Sequence, residues 1–221
     1  MMQLDPGRLS QKENYKWLIG TVLPRPIAFV TSISASGVVN AAPFSFFNVV
    51  ATEPPMVGFA CMRKPDGEMK DTAKNIIGQR EFVVHTVSEE NVALVNETAV
   101  DFPPDQSEAE KVGLHLLPAT VVRVPRIQEA KIHMECRLHC HLPIGGNGRH
   151  PNADFLIGEV VWVHLDEGLY DQGKVDTGAL KPVGRMAGRT YVKGGDMFSM
   201  PRLSYDQWLL KHKKAGANNP G

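Results

Sequence analysis

Residues 27–41 constrain the fold more than any other stretch. Ile27-Ala28-Phe29-Val30-Thr31-Ser32-Ile33 is β-branched and aromatic, Ser36-Gly37 offers a turn, and Val38-Val39-Asn40-Ala41 resumes the extended pattern, which predicts a hairpin. Comparable runs recur at Met56 to Met62, Glu81 to Val87, Ala119 to Val124, Ile132 to Leu142 and Phe155 to Leu165, so six or seven strands are expected. Helical stretches do not alternate with them as a doubly wound parallel sheet requires, which leaves an antiparallel barrel or sandwich. Closure into a barrel also removes exposed edges.

The helices are few and their caps can be named. Asp71 or Thr72 caps a short helix closing before Gly78, and Thr86-Val87-Ser88-Glu89 offers a capping box for a helix reaching Ala99. Ser107 with Glu110 and then Gly113 marks a third, and Ser204 with Gln207 opens a fourth. No repeat or long linker interrupts residues 15–205, so residues 1–221 are expected to form one domain with its core at about 15–200 and a loose polar tail at 211–221.

Lys plus Arg and Asp plus Glu balance at 24 each, so no net field favours nucleic acid or an anionic membrane. The amino terminus lacks the basic-then-apolar order of a signal peptide and no apolar run is long enough to span a bilayer, so the cytoplasm is the expected compartment. Cys61, Cys136 and Cys140 are too few and too irregular for a disulfide framework, and buried thiols are expected.

Gly-x-Gly-x-x-Gly after a strand, a phosphate loop, a Gly-x-Ser-x-Gly elbow and His-Glu-x-x-His are all absent from the sequence, so a nicotinamide or flavin would not be held in the Rossmann manner. His133, Cys136, His139, Cys140 and His141 place five metal-ligating residues close together. On one strand, however, the cysteines fall on the apolar face and the histidines on the other, and Cys136 and Cys140 lie about 13 Å apart. No metal site is expected, although His139 and His141 remain a pair to examine.

Two further constellations are open at the level of residue types. In Asn40-Ala41-Ala42-Pro43-Phe44-Ser45-Phe46-Phe47-Asn48, small residues let backbone groups approach the edge of a planar ring while aromatics cover its face; the same residues equally fit a strand leaving the core through a turn. Arg63-Lys64 ends a strand and Lys70-Asp71-Thr72 begins a helix, which brings positive charge and N–H donors together as a phosphate requires; exposed loop charges fit as well.

The order of these pieces resembles the flavin reductase-like, split-barrel family, particularly its longer, flavoredoxin-like members. It runs from Pro24-Arg25-Pro26 through Gly37, Asn40 to Phe47, Pro54-Pro55, Arg63-Lys64, Asp71-Thr72, Asn75 and Glu81-Phe82-Val83-Val84. Asp101-Phe102-Pro103-Pro104, Gly113-Leu114, Gly158-Glu159-Val160 and Lys181-Pro182-Val183-Gly184-Arg185 agree, so the likeness spans roughly residues 15–200.

The resemblance implies a mainly β fold, an antiparallel Greek-key split β-barrel with a few peripheral helices, in a homodimer with FMN near the interface. It places Asn40, Ala41, Ala42, Pro43, Ser45, Phe46 and Phe47 along the isoalloxazine and Arg63, Lys64, Asp71 and Thr72 around the phosphate. Shorter members carry a His five positions ahead of the Gly of Gly-x-Val; here Ala153 stands there, and His150 comes three residues earlier in a longer loop. His150, Arg189 and Tyr191 are the candidates for the substrate side, because an arginine holds a nucleotide phosphate and a Tyr or His packs on a second ring; surface-loop positions fit them equally.

The activity implied is NAD(P)H-dependent reduction of FMN, with no catalytic side chain required and with a monooxygenase or other acceptor as recipient. The alternatives are an FMN-binding electron carrier that serves a protein partner without NAD(P)H, and a metal or small-molecule barrel using His139 and His141.

Overall fold

The computed structural model describes residues 1–146, 148 and 150–212 in full, and the helical backbone of 213–216. Helix α1 (Gln11–Thr21) leads into β1 (Ala28–Ile33), β2 (Val39–Phe44), β3 (Phe47–Thr52) and β4 (Pro55–Met62). Helix α2 (Asp71–Gln79), β5 (Glu81–Thr86), α3 (Val92–Glu97) and α4 (Glu108–Val112) follow. After the short pair β6 (Leu116–Leu117) and β7 (Arg126–Ile127) come the long strands β8 (Ile132–Ile144) and β9 (Ala153–Leu165). The chain finishes with β10 (Tyr170–Asp171), β11 (Lys174–Val175), α5 (Thr177–Leu180), β12 (Val183–Arg185), β13 (Tyr191–Lys193) and α6 (Tyr205–Gly216).

Seven strands form one antiparallel sheet in the order β2-β1-β5-β8-β9-β4-β3. Its two edges, β2 and β3, are consecutive in sequence and separated only by Ser45 and Phe46. Two residues span less than 10 Å even when extended, so the sheet has to curl until its edges meet. The result is an antiparallel barrel split along the β2/β3 seam, with the Phe46 carbonyl accepting the Ala60 N–H at 2.9 Å to stitch the link onto β4.

The core lies inside the roll, where Val30, Phe44, Phe59, Phe82, Val84, Cys136 and Leu156 pack with Ala73 and Ile76 of α2. A second cluster covers the outer face of β1 and β2, joining Phe29 and Ala41 to Val95 of α3 and Ala109 of α4. Strands β1 and β5 are therefore buried on both faces, which is why they read as continuous apolar runs. Cys61 and Cys136 are buried, and burial pushes the Cys61 thiol up to about 12, so neither is poised to react.

Five sequence expectations change. Ala119–Val124 is not a strand: the amides of Thr120, Val121 and Val122 donate to the Glu135 carboxylate at 2.7, 2.7 and 3.1 Å, so a buried side chain takes the donors that a neighbouring strand would have received. This loop covers His133 and Glu135, which are buried instead of lining a solvated strand face. Helix α2 runs past Gly78 and stops at Arg80 in the left-handed conformation, while α3 starts at Val92, after Asn91, and not at the Thr86 box. Residues 211–216 of the expected tail belong to α6, whose start is fixed by reciprocal Ser204 and Gln207 hydrogen bonds, and 217–221 lie outside the described residues. Helix α1, with a complete Ser10/Glu13 capping box, and edge strand β3 were not anticipated.

Gly158 on β9 faces the inside of the roll. A Cβ there would sit 2.7 Å from Cε1 of the fully buried Phe82 ring and 3.1 Å from the Cys136 Cβ. Gly158→Ala is expected to cost about 1–3 kcal/mol in urea unfolding, the usual penalty for overpacking a filled core. A loss below about 0.5 kcal/mol would show that the ring moves aside freely.

Candidate cofactor groove

The seam is where side chains converge. Asn40, at the start of β2, is buried with all its polar atoms engaged: Oδ1 accepts from the Thr72 and Ser32 hydroxyls, and Nδ2 donates to Glu108 Oε1 at 2.6 Å. The Ala41 amide donates to Glu108 Oε2 at 3.0 Å. Burial raises the Glu108 pKa above the ordinary carboxylate value, against the lowering effect of these same hydrogen bonds. Asn40, Ala41, Thr72 and Glu108 thus form a rigid floor that locks β2 to α2 and α4.

Above that floor three cavities run together. The first, about 160 Å³, lies between Ala42, Pro43, Lys64, Lys70, Asp71 and the 98–102 segment. The second, about 250 Å³, is bounded by Tyr15, Pro43, Ser45, Phe46, Ala60 and Lys70. Because these two share Pro43, Phe44 and Lys70, they form one groove along the seam. The third, about 220 Å³, shares Tyr15, Pro43 and Ser45 with the second and continues to Arg185 and Tyr191.

Charge is graded along this groove. Helix α2 begins in the first cavity with no side chain capping its amides, and Lys64 and Lys70 flank it. Uncapped amides, a helix dipole and two ammonium groups together suit an anion. Asp71 is turned toward Lys74 at 3.8 Å, and Lys70 reaches the exposed Asp101 at 3.2 Å. The second cavity has the flat walls of Pro43, Tyr15 and Phe46, suited to a planar ring.

The family model for the flavin reductase like domain matches residues 19–179 of the chain. The chain belongs to that family. It is 52% identical over 206 residues to an uncharacterised protein of Halalkalibacterium halodurans, covering 93% of this chain and 99% of that one. Among solved structures, nitrilotriacetate monooxygenase component B from Bacillus cereus is similar with a TM-score of 0.89 and 45% identity, over 90% of this chain and 98% of that chain. The 2-nitrobenzoate 2-nitroreductase of Pseudomonas fluorescens follows with a TM-score of 0.83 and 33% identity, over 92% and 98%.

In this flavin reductase-like chain the groove collects Ala42, Pro43, Ser45, Phe46, Lys64 and Asp71 from the residues expected on sequence grounds. Phe47 instead lines an apolar cavity beside Pro24 and Val183, and Asn40 and Thr72 reach the groove mainly as its floor. Arg63 stands apart. Its Nε and Nη2 donate to Asp154 at 2.9 and 2.7 Å and its Nη1 to the Gly67 carbonyl at 3.2 Å, so its guanidinium organises the loop after β4 and does not line the groove. Tyr191 lines the third cavity, with its hydroxyl donating to Asn96 at 2.7 Å. His150 instead packs over Gly67, Arg189 is exposed away from all three cavities, and Asn147 and Arg149 lie outside the described residues.

The residues of the sequence-derived metal constellation are dispersed. His133 accepts from Arg126 and its Nε2 meets the Ala130 carbonyl at 2.6 Å, Cys136 is in the core, His139 is exposed, and His141 pairs with Asp154 at 2.8 Å. Among the described residues no three His, Cys, Asp or Glu side chains are placed to hold a metal ion. Tyr15, Lys70, Glu108 and Arg185 were missed as site residues, although Lys70 and Arg185 stood inside segments that the sequence had already marked.

Asp154 is fully buried, and burial works to raise its pKa; the Arg63 and His141 hydrogen bonds outweigh this and hold it below the ordinary value. A carboxylate depressed in the folded state adds stability that is present above its unfolded pKa and is lost as pH falls through the folded one. Asp154→Asn should therefore flatten the acid-side fall in stability measured by urea unfolding between pH 7 and pH 3. Arg63→Met, which leaves the carboxylate buried with His141 alone, should cost on the order of 3 kcal/mol at pH 7. Equal acid profiles for wild type and Asp154→Asn would remove this assignment.

Proposed function

We propose that this chain is an NAD(P)H-dependent flavin reductase that binds FMN along the seam. The observation that carries the reading is the groove's two unlike ends: flat apolar walls at Pro43, Tyr15 and Phe46, and an uncapped helix start flanked by Lys64 and Lys70. An elongated ligand with an apolar plane and a doubly charged terminus matches both, and FMN is such a ligand. FMN, when bound, supplies the two-electron chemistry by accepting a hydride from the reduced nicotinamide.

The chain's own contribution is placement. Lys64, Lys70 and the first α2 amides neutralise the phosphate, and Pro43 with Phe46 sets the plane of the ring. Asn40, Thr72 and Glu108 hold β2 still beneath it. No side chain is assigned a proton-transfer or nucleophilic step, in keeping with a reaction that the cofactors carry. The reading also takes in a homodimer, supported by Met197, Phe198, Met200 and Tyr205, which stand 64%, 83%, 80% and 72% exposed on the segment after β13. No helix among the described residues is long and apolar enough to cross a membrane.

Lys64→Ala and Lys70→Ala should each weaken FMN binding about tenfold, near 1.4 kcal/mol, while changing riboflavin binding less than about twofold. Thr72→Ala should weaken both flavins alike, because its hydroxyl supports Asn40 and not the anion. Equal losses of FMN and riboflavin in the lysine variants would overturn the phosphate assignment. Steady aerobic NAD(P)H consumption with added FMN is the expected activity. Tightly held flavin without turnover would instead favour the electron-carrier reading.

A further inference from the structure

We infer that the third cavity is a binding site for a small planar aromatic carboxylate, held beside the ring of FMN; this rests on the reading that FMN occupies the seam groove. The walls are two phenol rings, Tyr15 and Tyr191, and the edge of Pro43, with Ile19 and Val95 completing an apolar surround. Such walls favour a flat ring over a flexible or strongly hydrated ligand. At about 220 Å³ the cavity is close in size to the ring compartment of the groove and accommodates one ring system.

Its charge is one-sided. Arg25 and Arg185 both line it, no Asp or Glu does, and neither arginine forms an ion pair among the described residues. Arg25 is spent on structure: it donates to the Ile19, Val22 and Met186 carbonyls at 2.9 Å each and to the Ser45 hydroxyl at 3.4 Å. Arg185 is different. Its guanidinium lies 4.5 Å from the centre of the Tyr191 ring and donates to one carbonyl, that of Gly188. Most of its N–H groups are left for a ligand, and a guanidinium edge matches a carboxylate in two parallel hydrogen bonds.

The site is also built in advance. Arg185 and Tyr191 face each other across β12 and β13, Tyr191 is tied to Asn96, and Arg25 and Arg185 exchange backbone hydrogen bonds at 3.0 and 2.8 Å. The shared walls at Tyr15, Pro43 and Ser45 put any occupant next to the ring compartment. A neutral carboxamide of the same shape would leave the Arg185 charge uncompensated, so the cavity separates an aromatic acid from its amide.

Isothermal titration of benzoate and of benzamide into FMN-loaded and FMN-free protein tests this, with Arg185→Gln as the decisive variant and its fold checked by thermal unfolding. Benzoate is expected to bind at least tenfold tighter than benzamide, Arg185→Gln to abolish that preference, and benzoate to perturb the visible spectrum of bound FMN. Tyr191→Leu, which keeps the charge and removes a wall, should weaken both ligands. Equal affinity for acid and amide, or unchanged benzoate affinity in folded Arg185→Gln, overturns the proposal. Failure of the flavin reading is separate: the protein would retain no FMN while still discriminating benzoate from benzamide.

Discussion

The two-residue link between β2 and β3 governs this molecule. A seven-stranded sheet whose outermost strands are joined by Ser45 and Phe46 has no flat solution, and the backbone reach of two residues sets how tightly it rolls. The roll leaves a seam where the edges meet imperfectly. Small side chains such as Ala42 and Ser45 line it beside the Phe46 ring. The groove is a consequence of closure and not an addition to it.

Three carboxylates stabilise what closure leaves strained or loose. Glu135 gathers the amides of residues 120–122 and meets His164 at 2.6 Å, Asp154 gathers Arg63 and His141, and Glu108 gathers Asn40 and the Ala41 amide. The first two are held as anions, because hydrogen-bond donors outweigh the burial that opposes charge; Glu108 is shifted the other way, because burial wins. Glu135 and Asp154 fix loops to the barrel, and Glu108 fixes α4 to β2. The arrangement gives the irregular segments definite positions at little cost in apolar surface.

Strands β1 and β5 were legible because both their faces are buried, and β9 also fell where its apolar run lay. Ala119–Val124 misled because local composition cannot see Glu135, fourteen residues further on, competing for its amides. Strand β3 was hidden because its side chains are largely exposed and only Ser45 and Phe46 separate it from β2. In the site, residue types singled out Ala42, Pro43, Ser45, Phe46, Lys64 and Asp71, which the structure gathers along one groove, but not the contacts of each. Arg63 has the chemistry of a phosphate ligand and Thr72 that of a cap, yet buried Asp154 and Asn40 claim them, and only three-dimensional contact reveals such rivals. Arg185 and Tyr15 lie far from the seam in sequence, on β12 and α1, and reach the cavities beside it through the packing of these peripheral elements.

Helix α2 belongs to two structures at once. Its Ala73 and Ile76 side chains fill the barrel interior, while its first turn forms the charged end of the groove. Whatever is held at that first turn is therefore held by part of the core. Occupancy of the groove and integrity of the barrel become linked quantities, so a ligand that favours the seated helix resists unfolding of the whole sheet. A ligand of that first turn would act as a keystone: its concentration in solution would add to the equilibrium stability of the fold.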